Sequence, residues 1–482
     1  MKRLRRTILV VVVLVLAYAG AILGFREPES NLVLNRDSLR TDALHFGKDF
    51  LWGASTSAYQ VEGNCPNCNW AVFETTPDAF GRPRIAHGEK CGVAADHWNR
   101  YKEDIQLLKE LHLNAFRFSV EWSKVEPEEG VFSDSALNHY EAVVDELRAN
   151  GIEPFITLHH FTDPLWFTRR GGFEQDDAPA LLAHYAAKVA QRLGSKVRFW
   201  STINEPNVYA IEGYYRGTFP PGVRDPPRAA HVFQNLLRAH TACYQAIKSV
   251  RPDAQIGLLE NIFVFDPPQP WNLSDVVLAH LLNAALSTSV IDYLTTGVFD
   301  YSLPGIASMH FDSGVPGAFD FIGLNYYSRL RYHLAPFSEE KIVDARMLPR
   351  EQLTDKGWEI YPEGLYRALR MISSRTSKPI YITENGIADD SDLRRASFIE
   401  DHILVANRAI RDGMNVKGYF YWSLMDNFEW VDGFGVRFGL YAVDYATQAR
   451  TLRKGSLRYR EIVDRWEKSH LPATLPVATG RR

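Results

Sequence analysis

Two glutamates stand out because each ends an apolar run instead of lying on a solvated face. In FWSTINEPNVYA (199–210) Glu205 sits between an amide and a proline, and in PIYITENG (379–386) Glu384 sits between Thr383 and Asn385. A strand tip that only had to turn would use Gly, Asp or Ser more cheaply. Two facing carboxyl groups suit cleavage of a glycosidic bond: one protonates the departing oxygen, and the other attacks the anomeric carbon or activates water. Either glutamate alone reads equally well as a rim salt bridge. Polar and aromatic residues of a kind that suits sugars lie in or next to the chain's eight apolar runs: Gln60 after the first, Arg117 within the second, His159 and His160 ending the third, Asn204 beside Glu205, Asn325 with Tyr326 and Tyr327 ending the sixth, and Trp422 in the eighth. Sugars present hydroxyls at their edges and C–H groups on their faces, so a sugar pocket mixes such groups. His159-His160 does not read as a metal pair, since neighbours in a strand point to opposite faces and only one can enter a shared mouth.

The elements that must position these residues repeat. Eight short apolar or β-rich runs, at 50–56, 115–122, 154–161, 199–206, 255–261, 321–328, 379–386 and 416–426, alternate with amphipathic stretches such as YKEDIQLLKELH and ALLAHYAAKVAQRL. Apolar spacings of three and four in those stretches predict helices. Strands alternating with helices form βαβ units, and eight of them close into a single (β/α)8 barrel whose functional side chains sit at the C-terminal strand ends. The segments 261–316 and 330–355 are long for simple connections and are expected as elaborated βα loops on that rim. Expected boundaries are 1–25 for a hydrophobic leader, 26–45 for a linker, 46–466 for the barrel and 467–482 for a tail without periodicity.

The 482 residues are 46% hydrophobic and 12% aromatic, enough for a large core. A net charge of −4 and no basic run beyond residue 6 lack the footprint of a nucleic-acid binder. Lys2, Arg3, Arg5 and Arg6 precede the uncharged run Ile8–Phe25, ILVVVVLVLAYAGAILGF. That order fits a membrane anchor with its N-terminus inside, or a signal cleaved near Ala19 in Ala17-Tyr18-Ala19; the run's continuation past that site favours the anchor. Either fate puts the barrel on the extracytoplasmic side. Cys65, Cys68, Cys91 and Cys243 are too few for a disulfide scaffold. Cys65 and Cys68, in the loop NCPNCNW, lack a second CxxC and do not read as opening a helix, so a loop-tying disulfide among Cys65, Cys68 and Cys91 is expected over zinc or redox chemistry. No metal or other cofactor is expected, and the oligomeric state is not readable.

Taken together, FLWGASTSAYQVEG, FRFSVEWSKVEP, TLHHF, TINEPN, GLNYYS, GWEIYPEGL, YITENG and WSLMDNFEWVDGFGVRFGLYAVDY resemble glycoside hydrolase family 1, the β-glucosidase family, over about residues 46–465. The resemblance implies hydrolysis of terminal β-D-glycosides with retention, with Glu205 as acid/base, Glu384 as nucleophile, and Arg117, Asn204 and Tyr327 in support. It further implies sugar contacts from Gln60, His160, Asn204, Glu429 and Trp430, a floor at Trp422 and a leaving-group platform at Trp358. A carboxylate at Glu429 argues for an unphosphorylated sugar, because it would repel a phosphate dianion. The cysteine loop and Asp163-Pro164-Leu165-Trp166 depart from the family's commoner pattern. A catalytically silent glycan-binding module on the same fold is the competing expectation, since a barrel alone does not fix function.

Overall fold

The computed structural model describes residues 2–30, 32–41, 43–334, 342–344 and 348–470. Eight parallel strands close into one barrel: β1 (Leu51–Ser55), β2 (Ala115–Ser119), β3 (Glu153–His159), β4 (Phe199–Asn204), β5 (Gln255–Asn261), β6 (Phe321–Asn325), β7 (Ile380–Asn385) and β8 (Val416–Trp422). Seven fall within one of the eight apolar runs, and β3 begins one residue before its run, at Glu153. Every residue of β2, β4, β6 and β7 is buried, as expected when helices cover a parallel sheet outside and side chains fill it inside. Helices start where local chemistry favours it. The Ser133 hydroxyl caps Asp134–Ala149 by accepting from the Ala136 N–H at 3.2 Å, and Asp225, followed by Pro226, caps Pro226–Val250 by accepting from Arg228 N–H at 3.1 Å.

Below the rim, Phe155, Phe199, Leu259, Phe321, Tyr381 and Phe420 fill the barrel interior. The Phe155 ring lies 5.4 Å from Phe199, 5.2 Å from Phe321, 5.7 Å from Tyr381 and 5.4 Å from Phe420. This aromatic plug is the floor on which the site stands.

Two expected boundaries move. The stretch 261–316 is not one rim loop: it holds the strand Val264–Asp266, a rim helix Leu273–Asn283, a second helix Ser289–Thr296 and a hairpin, Val298–Leu303 with Ala307–Asp312. The second helix, SVIDYLTT, buries Val290, Ile291 and Leu294 but is short and rich in Ser and Thr, so its period is faint. The last helix runs to His470, past the expected domain end at 466, and 471–482 lie outside the described residues.

Phe155→Ala should cost about 3–5 kcal/mol, the range for emptying a packed aromatic site. A urea unfolding midpoint equal to that of the parent would contradict this reading of the plug.

Candidate active site

The β4 tip is built for Glu205. Its N–H donates to the Leu259 carbonyl at 2.7 Å, its backbone adopts φ 47°, and Pro206 opens the short helix Pro206–Ala210. A left-handed backbone at a non-glycine residue is costly, and such strain collects at functional sites. It turns the chain sharply while the carboxyl remains in the mouth. At the β7 tip the Glu384 carbonyl accepts from Tyr326 N–H at 2.9 Å. Gly386 follows, and a Cβ there would run into the Trp422 carbonyl, so glycine is what lets β7 close on β8.

Arg117, projecting from β2, is fully buried and contacts Glu384 through Nη1. Its Nη2 donates to Asn204 Oδ1 at 2.7 Å and its Nε to Thr157 Oγ1 at 3.0 Å. Tyr327 donates its hydroxyl to the other Glu384 oxygen at 2.6 Å. Thr383 Oγ1 donates to Asn325 Oδ1 at 2.7 Å, so the Asn325 amide nitrogen is left facing Glu205 Oε1 at 2.7 Å and Asn204 Oδ1 at 3.1 Å. One glutamate is thus held by a cation and a phenol, the other by a neutral amide.

A second wall comes from β1 and β8. Ser57 donates to Gln60 Oε1 at 2.6 Å, which points the Gln60 amide nitrogen at Asn427 Oδ1 (2.9 Å) and Glu429 Oε2 (3.3 Å). Trp422 Nε1 donates to Glu429 Oε1 at 3.2 Å. The His160 ring lies 5.9 Å from Trp422 and 6.0 Å from Trp430, and its nitrogens sit 3.2 Å from Asn204 Nδ2 and 3.4 Å from Arg117 Nη2. Trp358 packs on Tyr327 at 5.4 Å and near Phe438 at 6.2 Å. All eleven residues that the resemblance places in the pocket therefore line one contiguous mouth, Trp358 at its outer edge.

The electrostatics separate the two glutamates. Burial, and then the Glu384 charge, push the Glu205 carboxyl up to about 8, against opposition from Asn325 and Arg117. Glu205 is a protonated acid at neutral pH. Burial followed by Glu384 raises the Tyr327 phenol, so it stays a donor. Burial and Arg117 hold His160 neutral, and burial lifts Glu429 to about 8.

The family model "Glycosyl hydrolase family 1" matches residues 43–468. The chain belongs to that family. Beta-glucosidase A of Thermotoga maritima is 34% identical over 444 residues, covering 87% of this chain and 97% of that one. Among solved structures, the β-glucosidase from Thermotoga maritima in complex with glucoimidazole has a TM-score of 0.79 at 32% identity, covering 87% of this chain and 99% of the other. The β-glycosidase from Pyrococcus horikoshii has a TM-score of 0.79 at 36% identity, covering 90% and 99%. As a family 1 member, the chain is an enzyme that hydrolyses β-glycosides with retention.

Some features of the family 1 site differ from the expectation. The cysteines are free thiols: Cys68 Sγ donates to the Cys65 carbonyl at 3.2 Å, Cys91 Sγ to the Tyr59 carbonyl at 3.0 Å, and Cys65 Sγ sits 3.1 Å from Ser123 Oγ. The Cys65 and Cys68 thiols lie within hydrogen-bonding reach of each other with no S–S bond between them. Cys68 also immediately precedes a helix, Asn69–Thr75, whose Trp70 packs on Trp430 at 4.6 Å. His159 points away from the mouth to Asp163 at 2.9 Å. Thr383 and Asn427 escaped the reading because Asn325 and Gln60, the residues they orient, lie far off in sequence, whereas Ser57 acts on Gln60 only three residues on and no pattern marked it. Glu260 also escaped, although strand alternation after Leu259 places it outside the barrel. Among the described residues neither of its oxygens has a partner, and burial, followed by the nearby Glu205 carboxyl, pushes Glu260 well above the usual carboxylate range.

Replacing Glu384 with Gln should lower the Glu205 pKa below about 8, since it removes the second of the two forces raising it. Carbon-13 NMR titration of the glutamate carboxyls, assigned with Glu205→Gln, checks this. An unmoved Glu205 would contradict the coupling.

Proposed function

We propose that Glu205 is the acid/base and Glu384 the nucleophile of this hydrolase. The supporting observation is their unequal setting: Glu205 carries a proton near neutrality, while Glu384 lies against Arg117 and the Tyr327 hydroxyl. In the first step a Glu384 oxygen bonds to the anomeric carbon as the glycosidic C–O bond breaks, and the Glu205 proton goes to the leaving oxygen. Glu205 then takes a proton from water as that water's oxygen displaces Glu384, so the sugar leaves with its configuration retained. Asn204, fixed by Arg117 and Asn325, is placed to bond a sugar hydroxyl more tightly as charge develops. Gln60, His160, Glu429 and Trp430 take the remaining hydroxyls, with Trp422 beneath the ring. Glu429, held by Gln60 and Trp422, offers hydroxyl acceptors but no cation, which favours an unphosphorylated sugar.

Glu384→Gly should lose hydrolysis of aryl β-glycosides by several orders of magnitude, and azide should restore turnover with inverted product by filling the vacated position. For the parent, kcat/KM should fall above pH about 8, where Glu205 loses the proton it donates. Parent-like turnover by Glu384→Gly would overturn the assignment.

We further infer that the N-terminal helix Lys2–Phe25 is an uncleaved membrane anchor, with the barrel on the extracytoplasmic side. Its apolar stretch Arg5–Phe25 is long enough to cross a bilayer and wholly exposed, and its basic start fits the inside. The cleavage alternative near Ala19 is disfavoured by packing. The Tyr18 hydroxyl donates to the Trp271 carbonyl at 2.8 Å and accepts from Leu273 N–H at 3.1 Å, contacts that cleavage would remove. The full-length protein should stay with carbonate-washed membranes, and a soluble product beginning near Gly20 would overturn the anchor.

A further inference from the structure

The anchor leaves the barrel on the side of the active site. Beyond the rim, Val264–Asp266 prolongs β5 and pairs in parallel with Arg329–Leu334, which prolongs β6. These two extensions give a scale of height above the mouth. Low on it, the Phe265 N–H donates to Asn283 Oδ1 at 3.0 Å; higher on it, His333 meets Asp275 at 3.0 Å. The rim helix Leu273–Asn283 therefore begins far from the barrel and ends close to it. The N-terminal helix runs alongside in the same sense: Phe25 packs on His280 at 5.5 Å and Glu27 pairs with His280 at 2.9 Å, whereas Tyr18 binds Trp271 and Leu273. Residues before Tyr18 continue still farther above the mouth.

Helix length then fixes depth. The run Ile8–Phe25 spans ~27 Å at 1.5 Å per residue, just enough for the hydrocarbon core. If the whole run is to lie in that core, Tyr18 lies roughly 10 Å inside it. Trp271, level with Tyr18 and 68% exposed, enters the bilayer with it, at a depth typical of an interfacial helix. Outside the N-terminal helix and Val33, every large hydrophobic side chain exposed among the described residues, including Phe80, Val131, Leu334 and Leu393, lies between the C-terminal end of a barrel strand and the first turn of the packing helix after it. Among the described residues the short connections on the opposite face present none. A mouth whose own loops carry exposed apolar side chains and that is held against lipid is suited to a sugar carried on a lipid.

We propose that the substrates are β-glycosylated lipids of the same bilayer, whose sugar headgroup rises into the mouth while the lipid alcohol remains in the membrane as leaving group. This rests on both the hydrolase and the anchor readings above. Hydrolysis breaks the bond between the anomeric carbon and the lipid oxygen, the lipid oxygen takes the Glu205 proton, and water supplies the hydroxyl of the released sugar.

The test uses the full chain in phospholipid vesicles carrying a β-glycosyl diacylglycerol, its sugar matched to the aryl β-glycoside turned over best. Sugar release from the lipid is expected, and Trp271→Asp should reduce it by at least about tenfold, because a carboxylate resists entering the bilayer, while aryl glycoside turnover stays within about twofold. In single-cysteine variants bearing a dye, Phe80→Cys and Leu393→Cys should be quenched by a lipid-borne quencher, and Asp253→Cys, on the opposite face, should not. Aryl turnover without lipid turnover, or quenching at position 253 alone, overturns the inference. Absent aryl turnover sinks the hydrolase reading, carbonate-strippable protein sinks the anchor, and the inference falls with either.

Discussion

The site depends on one buried cation. Arg117 lies at the base of the mouth with no exposure, where an unpaired guanidinium would be strongly destabilising. It is matched on several sides: by Thr157, by Asn204, by the Thr383 carbonyl at 3.4 Å and by Glu384. Its charge therefore makes a buried Glu384 carboxylate tolerable, and the Glu384 charge in turn helps keep Glu205 protonated. Two identical side chains acquire different settings because one cation is closer to one of them.

The remaining structure keeps that asymmetry in place. The aromatic plug around Phe155 prevents the strands from shifting beneath the mouth. Asn325, oriented by Thr383, ties Asn204 to Glu205, so the amide and the carboxyl are held as one unit. On the other wall Ser57 and Asn427 orient Gln60 against Glu429. A pocket of neutral donors and acceptors around one charged pair suits a substrate that is itself neutral, and retains little water to compete for its hydroxyls.

What was legible in the sequence follows from which forces act locally. The strands were readable because burial on both faces leaves continuous apolar runs, and Glu205 and Glu384 were readable because each interrupts such a run at its tip. The pocket roles of Gln60, His160, Glu429, Trp430 and Trp358 came from resemblance to family 1 and not from pattern. Thr383 and Asn427 act on partners distant in sequence, which no local pattern reports; Ser57 acts on Gln60 three residues on, but a serine at that spacing carries no distinctive signal. The cysteine spacing pointed to a disulfide, whereas Cys65, Cys68 and Cys91 are buried free thiols with Cys65 and Cys68 in contact. The 261–316 segment was hard to divide because its second helix is short and its hairpin follows directly.

The central claim is that Glu384, held by Arg117 and Tyr327, bonds to the sugar while Glu205 manages the proton. A 2-deoxy-2-fluoro β-glycoside with a good leaving group slows both steps but the second more, so the covalent intermediate accumulates. Proteolysis and mass spectrometry of the inactivated enzyme should then find one fluorosugar on the peptide containing Glu384. A fluorosugar attached at Glu205, or turnover of this substrate with inversion and no attachment, would contradict the account.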